Sequence, residues 1–340
     1  MSLSIGIVGL PNVGKSTLFN ALLKRSVALV ANYPFATIDP NIGVVEVPDN
    51  RVDELAKIVH PEKKTYATVK FFDIAGLVKG AHEGEGLGNQ FLARIREVDA
   101  IVHLIRGFKD ENVVVTGSLI PEEDKSTIET ELLLADLQTV EKRIVNSRKD
   151  RDLLPIFMKV KEALEKGILV SKLDLRLDEK AIVKELNLLS SKPVLYVLNV
   201  DESVSAKKYD GFIPICAKME CELSEFSFED QEQYRGSAVA GGIDTLIRAT
   251  YDFLDLHTFF TAGLQEVRAW TIKKETKAPV AAGTIHSDFE KGFIKADVVS
   301  YDDFIRAGGW KMAREKGVVR LEGKDYVMNG GDVVLFRFNV

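Results

Sequence analysis

Cysteine is scarce in this sequence: Cys216 and Cys221 are the only two in 340 residues. That leaves no disulfide framework and points to a reducing compartment. Their C-x4-C spacing has no second pair nearby, so two core thiols are a better reading than a zinc site. Long apolar runs are missing as well. No stretch approaches the ~20 residues that a membrane span needs. A strand-like segment starts almost at the first residue and leaves no room for a signal peptide. The expectation is a cytoplasmic protein with no membrane partner. An excess of positive charge is the third absence: the formal net charge is −6, so nothing draws the whole chain toward nucleic acid. The charge is uneven, however. Residues 257–340 hold 13 Lys and Arg against 11 Asp and Glu, a net of +2, which leaves −8 for the remainder. Otherwise the balance is globular, 46% hydrophobic and 28% charged, with length for two or three domains.

The most informative stretch is Gly9-Leu10-Pro11-Asn12-Val13-Gly14-Lys15-Ser16, which reads G-x-x-x-x-G-K-S. A short apolar segment precedes it (Leu3 to Val8) and an apolar run at helical spacing follows it (Thr17 to Leu23). Strand, glycine loop and helix in that order are the context that makes the spacing a P-loop. Gly9 and Gly14 let successive N–H groups turn inward on phosphate oxygens, and the helix adds its positive end. Lys15 is placed to reach the β- and γ-phosphates and Ser16 to ligate Mg²⁺.

Downstream residues fit a nucleotide switch. Asn32 to Asn41 contains two prolines and reads as a loop, in which Thr37 is the candidate for a second Mg²⁺ ligand. Thr68–Asp73 reads as a strand ending in Asp73-Ile74-Ala75-Gly76. There Asp73 would meet the Mg²⁺ shell and the Gly76 N–H a γ-phosphate. The glycine-rich stretch from Gly80 to Gly88 suits a second mobile segment. Further strands are expected over Ile42–Val47, Ala100–Ile105, Lys192–Asn199 and Phe212–Lys218. Alternation with helices argues an α/β fold with a mainly parallel, doubly wound sheet, whose ligand sits beyond the strands' carboxyl ends. Residues 119–189 differ in kind. Leu132, Leu133, Leu137, Val140 and Ile144 recur at three and four, so an inserted helical hairpin or coiled-coil arm is expected. From about His257 short strand-like runs mark a small mixed α+β module.

The wording of these motifs resembles the YchF family of Obg-like ATPases. The resemblance lies in Gly9 to Thr17, Pro34 to Asn41, Asp73 to Ala81, Gly84 to Leu92, Phe259 to Gly263, Asp288 to Ile294 and Gly323 to Tyr326. It implies an OBG-type G domain over 1–118 and 190–256, a helical insertion over 119–189, and a C-terminal TGS domain of β-grasp type over 257–340. It implies ATP hydrolysis and association with the ribosome, with an arm shorter than the family's. It also implies nucleotide contacts on Asn12, Val13, Gly14, Lys15, Ser16 and Thr17, and Mg²⁺ contacts on Ser16 and Thr37. A base pocket follows from it at Asn199, Val200 and Glu202, with Cys216, Ala217 and Lys218 at its far wall.

Departures from the usual GTPase pattern shape the remaining expectations. Many GTPases orient the attacking water with a Gln directly after D-x-x-G; here that residue is Leu77, so intrinsic turnover should be slow. His103 is the substitute catalytic candidate, since the family has a suspected catalytic His in this strand; the alternative is a core imidazole. His82 is a weaker one. Asn12 occupies a position that in some related GTPases helps to hold K⁺, which makes K⁺ a second candidate cofactor. Guanine selection in this fold uses N-K-x-D, whose Asp accepts two hydrogen bonds from the base. Here the tetrad is Asn199-Val200-Asp201-Glu202. The Lys stem is gone and the carboxylate is displaced by a methylene, so ATP is expected to serve at least as well as GTP. In that reading the Asn199 amide and backbone near Val200 meet the purine edge. For partners, the C-terminal module is only slightly basic, with Lys273, Lys274 and Lys277 close together. The resemblance is what implies contact with the ribosome and its RNA through this module, together with the arm, and such contact should weaken steeply with salt.

Overall fold

The structure, a computed structural model, describes residues 3–30, 41–74, 87–110, 114, 117, 118, 120–147, 152–202, 211–224, 226 and 242–339. The expected switch residues Thr37, Gly76, Leu77 and His82 lie outside these. The chain divides into two units. One comprises Ser4–Val45 and Lys70–Leu246, the other Met1–Leu3, Glu46–Val69 and Ile247–Val340.

The first unit is built on a six-stranded sheet. Its strands are β1 (Leu3–Val8), β2 (Ile42–Glu46), β4 (Thr68–Asp73), β5 (Ala100–Arg106), β6 (Val194–Asn199) and β7 (Ile213–Ile215), in the order β2-β4-β1-β5-β6-β7. The pairs β1–β5, β5–β6 and β6–β7 are parallel. Every residue of β5 is buried, as expected for a central parallel strand covered on both faces. Helix α1 (Lys15–Val30) leaves the P-loop, and α3 (Leu87–Glu97) leads into β5. Because β1, β5, β6 and β7 run the same way, the segments after them all emerge at one edge of the sheet.

The insertion is a helical hairpin of α4 (Pro121–Asn146) and α5 (Leu153–Glu165), closed by α6 (Leu177–Glu185). One core joins all three, with Leu133, Val140, Ile156, Phe157, Val160, Leu164 and Val183 buried in it. It is a small bundle with three-and-four spacing turned inward, not a two-helix seam. Asp136, fully buried, accepts from the Leu189 and Ser190 N–H groups at 2.8 and 2.7 Å. It thereby caps the 3-10 turn Leu189–Ser191 that leads into β6.

The second unit has its own mixed sheet. Its strands are β3 (Lys63–Thr65), β8 (Leu256–Ala262), β9 (Glu266–Lys273), β10 (Phe293–Ser300), β11 (Arg320–Glu322) and β12 (Asp332–Phe338), in the order β11-β10-β12-β8-β9-β3. A core of Phe259, Ala281, Ala282, Phe293, Val298 and Phe336 fills the face under helix Ala278–Ile285. Its outline differs from the expected 257–340. Residues 46–69 belong to it, because β3 pairs with β9 and helix α2 (Asn50–Val59) packs on that strand. No apolar alternation marks β3: Lys63-Lys64-Thr65 is short and charged, as edge strands tend to be. The lysine cluster expected to meet RNA is also partly neutralised. Lys274 pairs with Asp255 and Lys277 with Asp325, each at 2.8 Å.

Candidate functional site

The segments that emerge at the carboxyl ends of β1, β5, β6 and β7 enclose a cleft of about 780 Å³. Asn12, Gly14, Lys15, Ser16 and Thr17 line one part; Asn199, Val200, Glu202, Cys216 and Lys218 line another. The structure therefore brings together most of the residues expected on the nucleotide. Phe108, Lys109, Asp110 and Asp201 also line it. Asp201 belongs to the 199–202 tetrad, whereas Phe108, Lys109 and Asp110 carry no motif. Their signal is positional, since they follow directly on strands that feed the same edge.

The phosphate end is a matter of backbone shape. Asn12 and Gly14 have φ of 62° and 95°, the left-handed region that curls a loop around an anion. Gly14 is required twice over: a Cβ there would also lie 2.2 Å from the Asn199 side-chain nitrogen. Gly9 needs its missing Cβ for another reason, since one would come within 2.4 Å of the Leu104 carbonyl. The Lys15 ammonium donates to the Gly9 and Leu10 carbonyls at 3.0 and 2.7 Å, so it stands over the loop. Burial lowers its pKa to about 8, partly opposed by the Asp73 carboxylate.

Mg²⁺ is the metal that the resemblance implies, and the residues fit it. Ser16 is an exposed hydroxyl on the cleft wall. Asp73 ends β4, half-buried and close enough to Lys15 for each to feel the other's charge; burial raises its pKa and Lys15 opposes the rise. Both are hard oxygen donors. The described residues hold no group of three His, Cys, Asp or Glu side chains suited to a metal. Mg²⁺ is suited to such a sparse donor set, since it takes one or two protein oxygens and completes its shell with phosphate and water.

At the base end the structure alters one expectation. Asn199, 6% exposed, does not offer its amide to a purine edge. Its Nδ2 donates to the Val13 carbonyl at 2.9 Å and its Oδ1 accepts from the Ala217 N–H at 3.0 Å. It is a clamp between the P-loop and the first turn of α7 (Ala217–Leu223). Removing it would leave two buried backbone groups unpaired, each costing about 1–3 kcal/mol. Val200, 2% exposed, packs with Ile105, Leu198, Cys216 and Met219, and so gives no aliphatic cover comparable to a lysine stem. Glu202 is an exposed carboxylate at the rim. Cys216 is a buried thiol whose pKa burial raises, so it is a wall and not a nucleophile.

His103 lies in the core. It is 1% exposed and is not among the residues lining the cleft. Its ring centroid is 5.8 Å from that of Tyr196, over which the Lys125 ammonium sits at 4.0 Å. Burial first, then Lys125 and Lys15, lower its pKa to about 3. It is neutral at physiological pH, and this placement favours the core imidazole over the catalytic group.

Comparison with known proteins fits this geometry. A family model described as 50S ribosome-binding GTPase (MMR_HSR1) matches residues 4–131. YchF-GTPase_C, described as a protein of unknown function (DUF933), matches residues 256–339. The protein named ribosome-binding ATPase YchF from Bacillus subtilis is 49% identical over 367 positions, covering 100% of both chains. Its counterpart of the same name from Escherichia coli O157:H7 is 46% identical over 364 positions, again covering 100% of both. A solved structure described as the Schizosaccharomyces pombe YchF GTPase superposes with a TM-score of 0.89 at 37% identity, covering 99% of this chain and 98% of that one. With full-length identity at this level and the same architecture, the chain belongs to the YchF family.

Proposed function

We propose that this protein is a cytoplasmic, Mg²⁺-dependent nucleoside triphosphatase that accepts ATP at least as well as GTP, turns over slowly unaided and associates with the ribosome. The base end of the cleft carries the choice of nucleotide. The lysine and aspartate that select guanine are replaced by a buried Val200 and a rim carboxylate at Glu202. Guanine therefore finds neither a paired acceptor nor an aliphatic cover, and most of the discrimination against adenine goes with them. Lys15 and the P-loop amides hold the phosphates, and Ser16 and Asp73 supply the oxygens that would hold Mg²⁺. That ion, when bound, would neutralise charge on the phosphate oxygens. Among the described residues, none of the cleft-lining side chains is a histidine; slow turnover rests on Leu77, which stands where many GTPases carry the water-orienting Gln. Asn12 keeps the K⁺ reading open to a direct comparison of rates in K⁺ and Na⁺. Ribosome association is what the names of the bacterial relatives state of those proteins.

Competition binding and steady-state turnover with ATP and GTP, with and without ribosomes, test this reading. The expected result is ATP bound within tenfold of GTP or more tightly, hydrolysis lost in Lys15→Ala, and co-sedimentation with ribosomes that weakens steeply with salt. A preference for GTP of tenfold or more, about 1.4 kcal/mol, overturns the nucleotide assignment. Co-sedimentation that is absent, or indifferent to salt, overturns the ribosomal one.

A further inference from the structure

We propose that Arg106 is a positioning residue for the base wall of the cleft: it fixes the Gly107–Asp110 segment and braces the Phe108 ring against which a base lies. This rests on the nucleotide reading above. β5 is apolar apart from His103 until it ends in Arg106, which is only 5% exposed. A guanidinium is costly to bury, and an apolar side chain of similar length would fill the space without that cost. Its hydrogen bonds go to the segment it precedes, and the buried Asp124 carboxylate is close enough to feel its charge. Nε donates to the Phe108 carbonyl at 3.2 Å and Nη2 to the Asp110 carbonyl at 3.4 Å, while Nη1 is buried without a partner.

The guanidinium carbon lies 4.4 Å from the Phe108 ring centroid, and the ring itself lines the cleft. A cation against one face of an aromatic ring draws on its negative potential. The other face is then a better partner for an electron-rich purine, and base–aromatic stacking tolerates either purine. The same segment is tied to the facing wall. The Gly107 N–H donates to the Asn199 carbonyl at 2.8 Å, and the Lys109 N–H lies 3.5 Å from an Asp201 carboxylate oxygen. One buried side chain thus sets the position of the wall that sequence motifs do not mark.

Calorimetric titration of the full chain with ATP and with inorganic tripolyphosphate, which has the phosphates and no base, tests this. Arg106→Met is expected to weaken ATP about tenfold and to leave tripolyphosphate within about twofold. Arg106→Lys, which keeps the charge and loses the fork, is expected to lose about threefold for ATP. Phe108→Ala should weaken ATP about as much as Arg106→Met. Adding Arg106→Lys to Phe108→Ala should then cost less than about twofold more, because the two act as one unit. Equal losses for ATP and tripolyphosphate, unchanged ATP affinity in the Arg106 variants, or additive losses in the double variant overturn the proposal. If Arg106→Met does not fold, the Arg106→Lys and Phe108→Ala cycle decides alone. A wild-type chain that binds tripolyphosphate as tightly as ATP overturns the nucleotide reading instead.

Discussion

The two ends of the cleft are built on different principles. At the phosphate end the working groups are backbone amides, and the sequence is constrained because only certain residues permit the curl: Asn12 and Gly14 at positive φ, Gly9 against Leu104. At the base end the arrangement depends on side chains: Arg106 stands against the Phe108 ring, and the Asn199 amide ties the Val13 carbonyl to the Ala217 N–H. A backbone device leaves a fixed spelling in the sequence. A wall of side chains leaves only residues that could have been chosen for other reasons.

Glycine substitutions break this comparison most severely. Gly14→Ala forces an L-residue to φ 95° and drives a methyl to 2.2 Å from Asn199. The expected outcome is nucleotide affinity reduced by about 100-fold or more and stability lowered by about 2–4 kcal/mol, read by calorimetry and thermal unfolding. Gly107→Ala meets only the Leu198 side chain, at 2.7 Å, which can shift. It should cost about 1–2 kcal/mol and weaken ATP a few-fold. Equal effects of the two would mean that the ends are not built differently.

The next effect concerns His103. Its folded pKa of about 3 lies below the ordinary 6.5, so the unfolded chain binds the proton that the folded chain refuses. The stability this group permits is fully present above pH 6.5 and is lost as pH falls from there toward 3. At pH 5 the loss is about 2 kcal/mol. The stability difference between wild type and His103→Leu should therefore shift by that amount between pH 8 and pH 5, with turnover in the variant close to wild type. A difference flat across that range, or turnover abolished without loss of stability, would return His103 to the chemistry.

A smaller effect comes from Lys15, on the phosphate end alone. With its pKa near 8, the ammonium is present below that value and is lost above it. Nucleotide affinity should be level up to about pH 7.5. It should then fall with a slope approaching tenfold per pH unit until it reaches the higher pKa that a bound phosphate confers. Affinity constant to pH 9.5 would show that Lys15 does not hold the phosphates.

Legibility followed the same division. The P-loop, the Asp73 strand end and the parallel sheet were readable because each has a period or a spacing forced by geometry. The identities at the base end, Asn199, Val200, Glu202 and Cys216, were found through resemblance, but the job of Asn199 was not. An asparagine after a strand can face a ligand or tie two loops, and only coordinates distinguish them. Phe108 and Arg106 were unmarked because a strand-end arginine and an isolated phenylalanine have no period. The helical insertion was readable as amphipathic but not as a closed bundle, since spacing gives the buried stripe and not its partners. His103 shows the limit of analogy: its strand was placed correctly, and its environment is what sets its proton affinity.

The edge strand at residues 63–65 carries a consequence for how this protein comes into being. Thr65 bonds the Glu266 carboxylate across 201 positions of chain, and Lys63 to Thr65 register with Glu266 to Arg268. Closing so long a loop is entropically slow. The C-terminal sheet must therefore wait for its last strands to be synthesised while its first one, with helix α2 beside it, has long been made. A fragment starting at residue 257 would lack that edge and the helix packed on it, so truncation there removes part of a fold and not a detachable module.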